Sequence, residues 1–311
     1  GVVPTTSTAM MLALGDARVE SVTVAGAATN VVVYSDTLGA VGNDGRFTRV
    51  TNLPIASTLI DSGVGAPGSA LSDGSASFAF QGGTVTIEVA GLGSGQAFFD
   101  PSTARLVLRN TGAGTSVTVS GSPGLTLTNF TITTSDDTSV GTIRVRAPLA
   151  GASNIVVDGA LGVLEVASMA GTGRILVGGD TASMTFGSFT GGFLQARSVG
   201  SVRVDGDYGS PVAGTANEAF MSFLSVGAMT FGGSVRAGVS SDRAMGAVTI
   251  AGAADRAEFR AGESVASFTA GSSRQLVLAA RNSIGPVRVN GDAVDTIISA
   301  GLDLGADAFF G

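Results

Sequence analysis

The sequence predicts an all-β chain wound into a parallel β-helix, a β-solenoid of ~19–21-residue coils, with a less regular amino-terminal β region or cap. Three observations predict it. A seven-residue pattern returns at a near-constant step. Glycine is abundant (47 of 311 residues) but follows no three-residue period, which excludes collagen. Small and β-branched residues dominate while aromatics make up only 6%, a mixture suited to short strands joined by tight corners.

The pattern is small, apolar, small, small, apolar, polar, apolar. It reads Ser198-Val199-Gly200-Ser201-Val202-Arg203-Val204, then Ser225-Val226-Gly227-Ala228-Met229-Thr230-Phe231. It returns as Ala244-Met245-Gly246-Ala247-Val248-Thr249-Ile250, Ser264-Val265-Ala266-Ser267-Phe268-Thr269-Ala270 and Ser283-Ile284-Gly285-Pro286-Val287-Arg288-Val289. Weaker copies span 140–145, 161–166 and 181–186. The fifth position falls on Ile143, Leu164, Met184, Val202, Met229, Val248, Phe268 and Val287, at steps of 21, 20, 18, 27, 19, 20 and 19. Only the step of 27 departs from the rest, and Asp207-Tyr208-Gly209-Ser210-Pro211 within it reads as a looped-out insertion.

A second strand lies between successive copies, as in Asn154-Ile155-Val156-Val157, Arg174-Ile175-Leu176-Val177 and Gln275-Leu276-Val277-Leu278. Each coil therefore reads as strand, glycine corner, strand, corner. Alternation along a strand sends the fifth and seventh positions inward and the sixth outward. A lone coil buries too little to offset the entropy of ordering it, so stacking on like coils supplies its stability. A β-sandwich would not repeat a seven-position pattern at a fixed step. The six-residue rule of a triangular left-handed helix is absent, and the sequence leaves handedness open.

Residues 136–311 read as the regular solenoid and 1–135 as an irregular β region, formed either by a cap or by larger coils. Within the latter, Val19 to Gly26 followed by Asn30 to Tyr34 resembles one coil. A solenoid needs its apolar ends covered, which favours a cap. The first residues, through Met10, Met11, Leu12 and Leu14, are apolar without a basic n-region and read as the start of a mature or trimmed chain. The last, Gly301 to Gly311 with Asp303, Asp307, Phe309 and Phe310, show no polar cap, so the expectation is that the chain continues or docks another subunit there.

Composition excludes much chemistry. The chain has no His, Cys or Lys, which removes imidazole and thiolate nucleophile systems, zinc sites of those ligands, Schiff bases and Walker-type lysines. A net charge of −7, with only 13% charged residues, argues against nucleic-acid binding. No stretch reaches the roughly 18 apolar residues of a membrane helix. Glycine-rich runs such as Gly91 to Gly95 open no helix and read as loops rather than phosphate cradles.

Carboxylate chemistry is left. Asp180, Asp205, Asp207 and Asp292 recur after strands, and pairs of carboxylates can cleave a glycosidic bond. Asp after Gly is also ordinary turn chemistry, which is the favoured reading. Asp303 with Asp307, or Asp136 with Asp137, are the weak Ca²⁺ candidates through oxygen ligands, but no full calcium-loop motif is present. No other cofactor is expected. One outward Thr per coil, interrupted by Arg203 and Arg288, falls short of the two columns of an ice-binding face.

The runs Ser198 to Asp207 and Ser283 to Asp292, which share the frame Ser-x-Gly-x-Val-Arg-Val-x-Gly-Asp, resemble the β-strand-repeat proteins of large secreted or surface polypeptides of environmental bacteria. The resemblance covers roughly 140–311. It implies an extracellular or cell-surface location and a structural, adhesive or fibre-forming role, without transferable catalytic residues. The expected function is a non-enzymatic structural protein that self-associates into end-to-end fibres or a surface layer. Val2, Val3, Met10, Met11, Leu12, Leu14, Phe309 and Phe310 are the self-association candidates. The alternatives are a polysaccharide-binding or polysaccharide-cleaving β-helix, and a stalk or passenger segment of a larger adhesin.

Overall fold

A computed structural model describes residues 69–135, 138–211 and 219–301, and the backbone of strands at 9–13, 18–24 and 28–35. The chain divides into two compact units, Leu53–Arg203 with Val212–Phe220, and Gly1–Asn52 with Val204–Pro211 and Met221–Gly311. The described residues are strands and turns, without helix. Strands β1 (Ala9–Ala13), β2 (Arg18–Val24) and β3 (Ala28–Ser35) open the chain and belong to the second unit.

The first unit begins with strands β4 (Ser69–Leu71), β5 (Gly74–Phe80), β6 (Gly83–Ala90) and β7 (Gln96–Asp100). They pair antiparallel among themselves and onto β8 (Arg105–Arg109) and β9 (Ser116–Gly121). Gln81 and Gly82, at φ 49° and 82°, form the two-residue turn that joins β5 to β6. On the packed side, Phe99 lies 4.8 Å from Phe78 and 5.9 Å from Phe130, ring centre to ring centre, so an aromatic cluster closes the first coil. Within 69–121 the less regular β region is thus an antiparallel layer whose last strands, β8 and β9, also pair in parallel with β11 and β12.

Parallel stacking then takes over. The next strands are β10 (Leu127–Thr128), β11 (Thr131–Thr134), β12 (Val140–Val145), β13 (Leu149–Ala150) and β14 (Asn154–Val157). They are followed by β15 (Leu161–Val166), β16 (Arg174–Val177), β17 (Thr181–Phe186) and β18 (Phe193–Val204). One ladder runs β9, β12, β15, β17 and a second runs β8, β11, β14, β16, β18. A third, short side joins β10 to β13 and continues through single bridges from Leu149 to Met169 to Phe189. The coil thus has three sides, where the sequence shows two.

The second unit repeats the plan with β19 (Phe220–Phe231), β20 (Gly238–Ser241), β21 (Met245–Asp255) and β22 (Glu258–Ala261). It continues with β23 (Ser264–Arg274), β24 (Val277–Ala280), β25 (Ser283–Val289) and β26 (Ala293–Ala300). Its ladders are β19, β21, β23, β25 and β20, β22, β24, β26, with Tyr208, Val235, Ala254, Ser273 and Ala293 aligned on the third side.

The repeat positions behave as the alternation requires. Every fifth and seventh residue from Ile143 and Val145 to Val287 and Val289 is buried. Residue size varies along the two inward columns: beside Phe268 the seventh position is Ala270, beside Val248 it is Ile250, and beside Met229 it is Phe231. The small third position has a backbone cause. A Cβ on Gly246 would stand 2.3 Å from the carbonyl oxygen of Gly227 in the neighbouring coil. The corner after β22 is equally tight, since a Cβ on Gly262 would meet the Asp242 carbonyl oxygen at 2.1 Å.

One expectation is corrected. Tyr208 is not looped out but lies in the core. It is fully buried, bridges Val235 in parallel and stacks on Phe231 with ring centres 5.4 Å apart. Its hydroxyl donates to the Gly238 carbonyl at 2.5 Å. Because Tyr208 keeps register with Val235, and Phe220 N–H donates to Gly192 O at 3.0 Å, the extra residues of this coil fall between Tyr208 and Phe220. Part of that interval, 212–218, lies outside the described residues.

Candidate functional site at the ladder edges

The carboxylates singled out by the sequence sit at corners. Asp207 accepts the Ser234 N–H at 2.8 Å and an Arg236 N–H at 3.3 Å. Arg236 also lies 3.7 Å from Asp255, which is the register partner of Arg274. Asp207, Arg236, Asp255 and Arg274 thus alternate in sign from coil to coil, which favours correct stacking over a slipped register. The main-chain carbonyl of Asp180 accepts the Leu161 N–H at 3.1 Å, and that of Asp292 accepts the Ser273 N–H at 2.8 Å. Asp205 lies under the next corner, where a Cβ on Gly232 would approach its carbonyl oxygen to 2.2 Å. Among the described residues no three acidic side chains converge on a metal-sized site. Asp136, Asp137, Asp303 and Asp307 lie outside the described residues.

Asp100 shows the turn chemistry in its clearest form. Its carboxylate accepts the Ser102 hydroxyl at 2.6 Å and the Thr103 hydroxyl at 2.8 Å, and those bonds hold its carboxyl below the usual range.

The outward sixth position forms one column per unit. In the first, Thr118, Arg144, Glu165 and Thr185 are in register, and Arg144 bonds Glu165 at 2.8 Å across adjacent coils. In the second, Thr230, Thr249, Thr269, Arg288 and Thr23 are in register. Beside that column Ala247 pairs with Ser267 and Pro286 with Ser21, so there is no second Thr column.

The most informative part of the second unit is its last stack. β2 pairs in parallel with β25, Val19 opposite Ile284, Val22 opposite Val287 and Val24 opposite Val289. β3 pairs with β26 from Ala28–Ala293 to Ser35–Ala300, and β1 pairs with β3 from Ala9–Val31 to Ala13–Ser35. The segment 18–35, which the sequence groups with the amino-terminal region, therefore extends the carboxy-terminal ladders by one coil. Met10, Met11 and Leu12 lie in β1, opposite Val32, Val33 and Tyr34. Among the described residues, β1 and β2 each have a strand on one edge and none on the other. Val2, Val3, Leu14, Phe309 and Phe310 lie outside the described residues.

The sequence marks the coil but not its seat. The signal was present: Val19, Val22 and Val24 occupy the apolar positions of the repeat. Docking across the length of the chain, however, leaves no local mark. No family model, curated protein or solved structure matches this chain. No helix among the described residues is long and apolar enough to cross a membrane.

Proposed function

We propose that this chain is an extracellular structural protein of a bacterial surface that self-associates by joining ladder ends into fibres or a surface layer. The observation that carries this reading is the pair of parallel strand edges, on β1 and β2, that have no strand beyond them among the described residues. An open ladder edge presents unpaired N–H and C=O groups and templates pairing with another chain. Two further features support it. The outward column of the second unit is Thr at four of its five register positions, with Arg288 the one charge, so copies can approach closely along it. Asp207 at its corner and Glu165 across adjacent coils are spent on holding the stack together, which suits a scaffold.

Negative-stain electron microscopy across a range of protein concentrations tests this. Unbranched filaments that lengthen with concentration are the expected outcome. Dispersed single particles at every concentration would contradict it.

A further inference from the structure

We infer that the coil made by β2 and β3 is exchanged between copies of this chain, so that the amino-terminal coil of one copy closes the carboxy-terminal coil, β25 and β26, of the next. This rests on the self-association proposed above and gives it a route of its own, through the seam of β2 and β3 on β25 and β26 rather than the outer edges of β1 and β2.

Three features of the fold carry it. The first is fit. β2 keeps the repeat register on β25 from Arg18–Ser283 to Val24–Val289, and β3 keeps it on β26 over its full length. The seat that 18–35 takes is the seat of an internal coil.

The second is connectivity. Arg281 and Asn282 alone separate β24 from β25, and residues 290–292 alone separate β25 from β26. Short corners of this kind tie each internal coil to its neighbour. The coil of β2 and β3 arrives from the opposite end of the sequence, and 36–68 then carry the chain from β3 to β4. The seam between β25–β26 and β2–β3 is therefore made by ladder pairing without a short covalent tie. A seam of that kind can form between two chains with the same contacts as within one, which is the condition for domain swapping.

The third is strand order. β1 precedes β2 in the sequence but lies beyond β3 in the ladder. In a threaded solenoid the strand before β2 would occupy the place that β26 fills. The coil has thus been docked onto β25 and β26 from outside, with β26 standing in for its own predecessor. Donor and acceptor are different surfaces of one chain, so repeated exchange is head-to-tail and open-ended. Which partner wins, the same chain or the next, depends on the effective concentration each presents.

The absence of cysteine makes the test clean. Thr23 and Arg288 are register partners. Thr23→Cys and Arg288→Cys are prepared as separate chains, unfolded together, refolded as a mixture and treated with a short bifunctional thiol reagent. A covalent heterodimer of the two chains is expected, together with a ladder of covalent oligomers from the double variant. Thr29→Cys with Val294→Cys, register partners on the short side, repeats the test independently of any folding defect in the first pair.

Cross-links confined to single chains would overturn the inference. If filaments form at the same time, self-association stands and uses another surface. If only dispersed particles form, both readings fall. Cross-links between chains within short closed oligomers, without filaments, would keep the exchange and remove the fibre. No cross-link in either pair would also overturn it, because β2 would then not seat on β25 in any copy.

Discussion

Replacing Phe231 with Ala is expected to destabilise the second unit by about 3–5 kcal/mol. Phe231 is fully buried, with Tyr208 stacked 5.4 Å away on one side and Phe259 at 6.2 Å on the other. The space it vacates cannot close easily. The backbone around it is held by the ladder, where Gly232 N–H donates to Val204 O at 2.8 Å. Coil spacing is set by those main-chain bonds, so the cavity persists and its cost adds to the lost burial. The adjacent Thr230 is exposed, and Thr230→Ala is expected to change stability by at most about 0.5 kcal/mol. Urea denaturation followed by far-ultraviolet circular dichroism compares the two. Equal effects would contradict the inward placement of the seventh repeat position.

The second large effect is alkaline. Burial holds the Tyr208 phenol well above its ordinary value near 10, while a main-chain bond from Met221 pulls modestly the other way. In the unfolded chain the phenol loses its proton near pH 10, whereas the folded protein retains it. The native state then binds more protons than the unfolded state, so stability falls as pH rises. The contribution is complete below about pH 10 and drops by up to about 1.4 kcal/mol per pH unit above it. Denaturant titrations at pH 8, 10 and 11, in a Tyr34→Phe background that leaves one phenol, measure this slope. Tyr208→Phe should abolish it. The same change leaves the Gly238 carbonyl without its partner, at a cost of about 1–3 kcal/mol at neutral pH. An unchanged slope in Tyr208→Phe would mean that another group controls the alkaline limb.

What the sequence makes legible follows from how many residues vote for each feature. Ladders built on the fifth and seventh positions are announced by a pair of residues in every coil, from Ile143 and Val145 to Val287 and Val289. The third side offers one inward residue per coil, Leu149, Met169 and Phe189 in one unit and Tyr208, Val235 and Ala254 in the other. One apolar residue among glycines carries no period of its own.

Tyr208 misleads for a related reason. Its neighbours Asp207, Gly209 and Pro211 are turn formers, and turn chemistry is as common inside a solenoid corner as in an excursion from it. The seat of β2 on β25 is hidden differently. Val19, Val22 and Val24 fit the repeat, but a repeat says only that coils stack on their like, not which coil comes next.

In the proposed assembly the β25 and β26 ladders of one copy carry on through β2 and β3 of the next, so strands of neighbouring copies stack along the fibre. X-ray diffraction from aligned fibres of the intact protein tests it directly. Parallel strands stacked along the fibre require a reflection at about 4.8 Å on the meridian. The same reflection on the equator, with strands stacked across the fibre, would contradict the claim.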